Sequence, residues 1–449
     1  MNILLVNQYL NNTLEPIIPI GLCSLATCIK TYTNNKVIVF DPNVEDHWEE
    51  ALVKTIRKFK PDLIGVSFRN IDSTLFIKPF NYFPLIKKLL IILRSNCPEA
   101  LIIIGGSGAS VFPCEILNKI PQVDACISGT GEESIIKIIQ HPFQWEQIPG
   151  AYYRDNNSGD ILLSSSLKTI KFAELPFPRR DYIKVERYLS NKYSTGILTK
   201  RGCEKNCIYC IYPFVSGHSI ETRPVDHVVE EIEYLQKDFQ VEYLYVSDNV
   251  FNNPRHSMME LCQSIIKKNI KIKWTAFFDC FEKNIDKNII DLVKKAGCIC
   301  IQSSPEAYPQ NYLNIFKKGL TQKEVIRFIK LFDNEKEIEV LIDFFAEAPG
   351  QKFTDFLRMV YLMGIYSLKF TIQKQQTTFK LHPIRIYPKT QLFEMAVSAN
   401  YISKNIDLLP NSDKLDESLF YLTFTKKIIY KFLLRISNFL QYKSQPKNI

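Results

Sequence analysis

The chain has no run of eighteen uncharged apolar residues, about the length a bilayer-spanning helix needs. Its best stretch, Pro84 to Gly105, is broken by Lys87, Lys88, Arg94 and Glu99, so a soluble protein is expected, with membrane association only a secondary reading. No signal peptide is read at its start, and no disulfide framework is read from its cysteines. Nine of the 12 (Cys23, Cys28, Cys97, Cys114, Cys126, Cys262, Cys280, Cys298 and Cys300) are scattered through apolar runs, where a free cysteine behaves as a small buried hydrophobe. A reducing, cytoplasmic compartment follows as the expectation. A basic stripe is also missing: the formal charge of +9 is spread along the chain, so no nucleic-acid partner is expected, and only the C-terminus approaches such a patch. What the chain does have is 449 residues at 46% hydrophobic, more than one core usually serves.

The three remaining cysteines are different. Cys203-x3-Cys207-x2-Cys210 follows an apolar run that reads as a strand end. Three soft thiolates suit an iron-sulfur cluster, and four irons held by three cysteines leave one iron open to a further ligand. Zinc completed by His218 is the alternative, although zinc sites usually come as two short Cys/His couples and no second couple follows.

Strand-like runs at 2–7, 36–41, 62–67, 100–105 and 123–128 alternate with helical patterns at 19–32, 46–59, 80–95, 112–120 and 131–140. That alternation predicts a doubly wound, flavodoxin-like parallel sheet, whose ligands sit at the carboxyl ends of the strands. Those ends are Asn7-Gln8-Tyr9, Ser67-Phe68-Arg69-Asn70, Gly105-Gly106-Ser107-Gly108 and Ser128-Gly129-Thr130-Gly131-Glu132. Glycine admits close backbone approach and a helix start can take phosphate, although tight turns after strands use the same residues. Residues 141–194 form a looser linker with a short hairpin across Asn156-Asn157-Ser158-Gly159 and a proline-stiffened stretch, Leu175 to Asp181. Further strands are expected at 243–246, 272–277, 298–303, 338–345 and 369–373, with helices between them.

The cysteine spacing, with Tyr209 just before Cys210, resembles the signature of the radical S-adenosylmethionine enzymes. The resemblance implies a [4Fe-4S] cluster on Cys203, Cys207 and Cys210, S-adenosylmethionine chelated at its open iron, and reductive cleavage to a 5′-deoxyadenosyl radical. It further implies a partial (β/α)6, TIM-like barrel over 195–400; residues 401–449 are read from their composition as a C-terminal helical extension. Asp248 stands where the family contacts the methionyl ammonium, although the usual Gly-Gly-Glu is replaced by Ser247-Asp248-Asn249. Ser303, Ser304 and Glu306 stand where relatives contact ribose or carboxylate. Ala346, in Phe344 to Gly350, belongs to the strand and turn that flank the adenine. Tyr387 lies in a stretch resembling the closing strand of this branch and is the candidate catalytic side chain.

Residues 1–140 resemble the cobalamin-binding domain that precedes the radical domain in one large branch of the family. The likeness rests on Pro19-Ile20-Gly21-Leu22, Leu25-Ala26, Gly105-Gly106 and Gly129-Thr130-Gly131-Glu132. It assigns Ser67, Arg69, Gly105, Gly106, Ser107, Gly129, Gly131 and Glu132 to the corrinoid. The Asp-x-His-x-x-Gly of histidine-ligated relatives is absent: the stretch is Asn7-Gln8-Tyr9-Leu10-Asn11-Asn12. Arg69 is placed at the lower face of the corrin, as a cation that cannot ligate cobalt. Pairing with Asp72 is its bland alternative.

Together these imply a cobalamin-dependent methyltransferase acting on an unactivated carbon of a small-molecule or peptide intermediate, with a reductant such as flavodoxin or ferredoxin. Two alternatives stay open: a radical rearrangement or cyclisation, and a non-catalytic zinc or iron-sulfur protein. Phe424 to Tyr442, rich in Lys and Arg and without an acid, reads as an amphipathic helix that packs on its own domain in preference to a membrane.

Overall fold

The computed structural model describes residues 1–155, 157–423 and 425–431. The N-terminal sheet begins with β1 (Asn2–Val6), β2 (Lys36–Phe40), β3 (Leu63–Ser67), β4 (Leu101–Gly105) and β5 (Ala125–Ile127). All are parallel, in the order β2-β1-β3-β4-β5. Helices cover both faces, so β1, β3 and β4 are apolar at nearly every position and not merely at alternate ones. The covering helices show the complementary pattern. In Trp48–Phe59, Trp48, Leu52 and Ile56 face inward while Glu49, Glu50, Arg57 and Lys58 lie at its ends, and Lys60 closes it in the left-handed conformation. The predicted hairpin, β6 (Ala151–Arg154) and β7 (Ile161–Leu163), adds antiparallel to β5 and extends this sheet to seven strands.

After the linker come β8 (Gly196–Ile197), β9 (Lys200–Arg201), β10 (Glu221–Thr222), β11 (Tyr243–Val246), β12 (Lys273–Phe278), β13 (Cys298–Glu306), β14 (Glu339–Phe345) and β15 (Thr377–His382). Six of them form an open parallel sheet in the order β15-β14-β13-β12-β11-β8. β9 and β10 pair separately. β14 alternates strictly: Val340, Ile342 and Phe344 are buried under helices, while Leu341, Asp343 and Phe345 face the concave side. The strand expected at 369–373 is instead the last turn of a twenty-residue helix, Phe353–Ile372, and the sixth strand lies a few residues later at β15. Lys369-Phe370-Thr371-Ile372 has strand-like composition, but it continues an uninterrupted helix and Phe370 fills the core from there. Among the described residues no helix is long and apolar enough to cross a membrane.

Residues 401–423 are not the helical extension that was expected. They run as an irregular strap back to the first domain, with one turn at Glu417–Leu419 and with β17 (Phe420–Tyr421) paired to β16 (Ile384–Arg385). Leu409, Leu415, Leu419 and Phe420 enter the first domain's core, and Asn81 Nδ2 donates to the carbonyls of Pro410 and Ser412 at 2.7 Å each. The buried Arg385 donates to Asp72 at 2.9 Å. Residues 425–431 are helical; Phe424 and the rest of the expected amphipathic helix, 432–442, lie outside the described residues.

Candidate active site between two sets of strand ends

The cysteine loop leaves β9 through Gly202, whose φ of +86° and a would-be Cβ only 1.8 Å from the Ser219 carbonyl oxygen admit no side chain. Cys203 N–H then donates to Gly217 O and Cys210 N–H to Cys207 O. Cys203, Cys207 and Cys210 are half-buried, whereas eight of the other nine cysteines are buried and Cys114 is exposed. They are near enough for each to act electrostatically on its neighbours. Burial, with the nearby Glu306 carboxylate, pushes Cys207 up to about 11; burial pushes Cys210 up to about 12. Such thiols stay protonated until a soft metal displaces the proton. Among the described residues no three His, Cys, Asp or Glu side chains group tightly enough to hold a single ion, and His218 is exposed. Three thiolates with the exposed His218 as the candidate fourth ligand leave zinc short of its usual set, whereas three cysteines are the donor number of an iron-sulfur cluster with one open iron.

A buried triad braces this loop. Tyr209 donates to Glu306 Oε1 at 2.5 Å, and Lys318 Nζ donates to both Glu306 oxygens at 2.7 Å and to the Ser304 carbonyl. Burial opposes the Lys318 charge, but the Glu306 carboxylate outweighs it and holds the ammonium above its ordinary range. Glu306 has a left-handed φ of +67° at a register shift that ends β13, so the strand bends just where its carboxylate must turn toward the loop. Asp248, at the end of β11, accepts from the Thr199 amide at 2.8 Å, from the Thr199 hydroxyl, and from the Lys200 amide at 3.3 Å. It fixes the approach to the cysteines. Burial raises its pKa, with the neighbouring Lys200 charge and these hydrogen bonds working the other way. Ser303 is fully buried and donates to Phe278 O at 2.7 Å; Ser304 donates to Asp343 O at 3.2 Å; Ala346 is buried and its amide bonds His382 O at 2.8 Å.

The first domain's strand ends enclose a cavity of about 190 Å³. It gathers Ser67, Gly105, Gly106, Gly129, Gly131 and Glu132 from separate turns, with Gly21, Leu22 and Leu25 as a wall. A Cβ at Gly21 would meet nothing within 4 Å, so the backbone there is bare. Gly106 is a packing requirement: at φ +99° a Cβ would press 2.8 Å from Phe68 O. Ser107 lies outside the cavity and donates to the Arg69 carbonyl. Glu132 is buried at the mouth, where it accepts from Ser24 at 2.9 Å and from both terminal nitrogens of Arg201. Arg201 stacks over Phe172 at 4.2 Å, and Lys168 reaches Thr130 at 2.7 Å on the same rim.

Arg69 does not pair with Asp72, which belongs to Arg385. Its side chain is exposed and has no ion-pair partner among the described residues. Its charge acts on the half-buried Tyr245, whose hydroxyl burial raises, and on the exposed Tyr212, which places it across from the second domain. Tyr387 is half-buried in the same quarter, where burial, then the Asp72 charge, raises its hydroxyl. Sequence reasoning missed Arg201, Lys318, Tyr212 and Tyr245. Arg201 sits two residues before Cys203 and Tyr212 two after Cys210, which is signal enough to flag them; nothing local marks Lys318. The concave wall adds Asp343, whose carboxylate stands 3.5 Å from His382 Nε2.

Comparison with known proteins agrees with this geometry. Residues 9–139 match the B12 binding domain and residues 197–358 the Radical SAM superfamily. The chain is thus a radical S-adenosylmethionine enzyme carrying a B12-binding domain ahead of its radical domain. Within that class its fold is that of two solved enzymes. One is the radical S-adenosylmethionine methyltransferase TsrM of Kitasatospora setae with tryptophan and a SAM analogue bound: 21% identity, TM-score 0.76, 90% of this chain and 79% of that one. The other is OxsB, a cobalamin-dependent radical enzyme: 18% identity, TM-score 0.74, 95% and 64%. In sequence the chain is 23% identical to an uncharacterized methyltransferase of Pyrococcus horikoshii over 86% of its length and 79% of the relative's. It is 24% identical to an anaerobic magnesium-protoporphyrin IX monomethyl ester cyclase of Cereibacter sphaeroides, of which it spans 48%. It is 23% identical to a cytidylyl-2-hydroxyethylphosphonate methyltransferase of Streptomyces wedmorensis, of which it spans 57%.

Proposed function

We propose that this enzyme is a cobalamin-dependent radical S-adenosylmethionine methyltransferase that modifies an unactivated carbon of a small organic molecule or peptide. The observation that carries the reading is Arg201. One residue before Gly202-Cys203, it lines the first-domain cavity and pairs with Glu132 on that cavity's rim, so cysteine loop and cavity are held in one register. Cys203, Cys207 and Cys210 would hold a [4Fe-4S] cluster. The strand ends carrying Ser67, Gly105, Gly106, Gly129 and Gly131 would hold the corrinoid. Together these groups supply one-electron cleavage of S-adenosylmethionine and a transferable methyl group.

The chain's own work is position and exclusion. Glu306 and Lys318 fix Tyr209, and through it the spacing of Cys207 and Cys210. Asp248 fixes the approach to Cys203, and its carboxylate edge is also the candidate acceptor for a methionyl ammonium. Arg69 presents a cation that cannot ligate metal to the gap between the domains. Tyr212, Tyr245 and Tyr387 furnish an aromatic wall that can orient a substrate and exclude water. An electron donor such as flavodoxin or ferredoxin completes the proposal. A rearrangement or cyclisation is the second reading, supported by the cyclase among the relatives.

Anaerobic reconstitution tests both. Iron and sulfide of about four each per chain, loss of that content in Cys207→Ala, and 5′-deoxyadenosine on reduction are the expected results. S-adenosylhomocysteine formed alongside supports methyl transfer; its absence with 5′-deoxyadenosine present supports rearrangement. Absence of any corrinoid spectrum after incubation with hydroxocobalamin overturns the cobalamin assignment.

A further inference from the structure

The long helix Phe353–Ile372 breaks the rule that the others on the second sheet obey. Helix Val225–Phe239, for instance, presents Asp226, His227, Glu230 and Glu233 outward. Phe353–Ile372 is apolar on both sides. Phe356, Met359, Leu362 and Phe370 are buried against the sheet, yet Phe353, Leu357, Tyr361, Ile365, Leu368 and Ile372 form an outward stripe, with Tyr361 71% and Ile372 74% exposed. A helix that is apolar all round belongs in an interior. At ~200 Å² per large side chain the stripe amounts to roughly 600–700 Å² of apolar surface that the described residues leave uncovered, more than a free monomer usually tolerates in one patch.

Two copies of the helix set antiparallel about its midpoint bring Phe353 to Ile372, Leu357 to Leu368, Ile365 to Val360 and Tyr361 to Gly364, so that apolar or small residues meet along the stripe. Gly364 has nothing within 4 Å of where its Cβ would stand, so a tyrosine ring has room there. A two-fold axis across such a pair makes each of these contacts occur twice, so an apolar stripe that meets apolar residues on reversal buries them on both sides of the axis. A groove of about 450 Å³ runs alongside, between Tyr361, Ile365 and Tyr366 on this helix and Tyr308, Gln322 and Ile326 beside it. Charge argues against a lipid surface as the occupant. The helix carries only Asp355, Arg358 and Lys369; Lys369 is tied to Asp333 at 2.7 Å, so the basic polar face of an interfacial helix is missing. The stripe's area is close to the ~800 Å² per partner of a standard interface once the groove contributes.

We infer that the outward face of Phe353–Ile372 is a homodimer interface, in which two copies of this helix pack antiparallel about an axis between Tyr361 and Gly364. The test is sedimentation equilibrium of the full chain, wild type against Leu357→Asp and Leu368→Lys, each variant's fold being checked by far-UV circular dichroism. Wild type should sediment at twice the chain mass. Each variant alone should raise the dimer dissociation constant by about 100-fold, since a two-fold axis buries each new charge twice against apolar surface. Mixing the two variants should restore the dimer. One contact of the mixed pair then sets the introduced carboxylate against the introduced ammonium, and the other keeps leucine on leucine. A wild type that stays monomeric at about 100 µM, variants that dimerise as wild type does, a mixture that fails to recover, or a monomer that floats with phosphatidylcholine vesicles each overturns the inference.

Discussion

Replacing Lys318 by methionine isolates the brace behind the cysteine loop. Methionine keeps most of the aliphatic stem, so packing changes little while the ammonium disappears. Lys318 Nζ makes two 2.7 Å contacts with Glu306, whose side chain is 1% exposed, and bonds the Ser304 carbonyl as well. Without it a buried carboxylate keeps only the Tyr209 hydroxyl. Removing one member of a buried pair costs about 3–5 kcal/mol, because the remaining charge is left uncompensated. Urea unfolding of the metal-free protein, followed by circular dichroism, should therefore show Lys318→Met less stable by about that amount. The double variant Glu306→Gln/Lys318→Met, which buries no net charge, should recover most of the loss. Iron content after reconstitution should fall in the single variant, since Tyr209 lies between two of the cysteines. A loss below about 1 kcal/mol, or a double variant no more stable than the single, would refute the brace.

Arg69→Ala should leave the melting temperature unchanged, since the guanidinium has no ion-pair partner among the described residues to lose, but should weaken hydroxocobalamin binding about tenfold by absorbance titration. Arg385→Met strands the buried Asp72 carboxylate and should loosen the strap of residues 401–423, read as faster cleavage there by a limiting amount of protease. Glu133 makes the linker depend on pH. Burial works against its charge, but the amides of Ile170 and Thr169, then Lys137, outweigh this and lower it to about 2. A depressed carboxylate stabilises above its unfolded pKa and loses that contribution as pH falls toward the folded value. The deficit of Glu133→Gln relative to wild type, measured by linker proteolysis, should be full at pH 7 and shrink between about pH 5 and pH 3.

Much of the architecture was legible because parallel strands covered on both faces must be continuous apolar runs, and β1, β3 and β4 are such runs. The glycine turns at Gly105-Gly106 and Gly129-Thr130-Gly131 were legible for an equally local reason: positive φ at Gly106 and Gly129 leaves little choice of residue. The failures are local signals overridden by their surroundings. Lys369 to Ile372 has the composition of a strand but sits at the end of a helix whose buried face continues through Phe370. Residues 401–423 look like part of an extension and are instead a strap whose apolar residues are claimed by a core some three hundred positions earlier in the chain.

The sequence by itself determined the cysteine spacing, the strand and helix periods and the turns that need glycine, because each is written within one or two turns of chain. Only the tertiary structure decided which charges meet. Asp72 could have taken Arg69, its near neighbour, but Arg385, 313 residues away, lies in the buried position where a partner is worth most. Glu132 takes Arg201, and that pairing joins the cavity to the cysteine loop. Ion-pair choice depends on burial and on where two folded bodies touch, and neither quantity exists until the chain has folded.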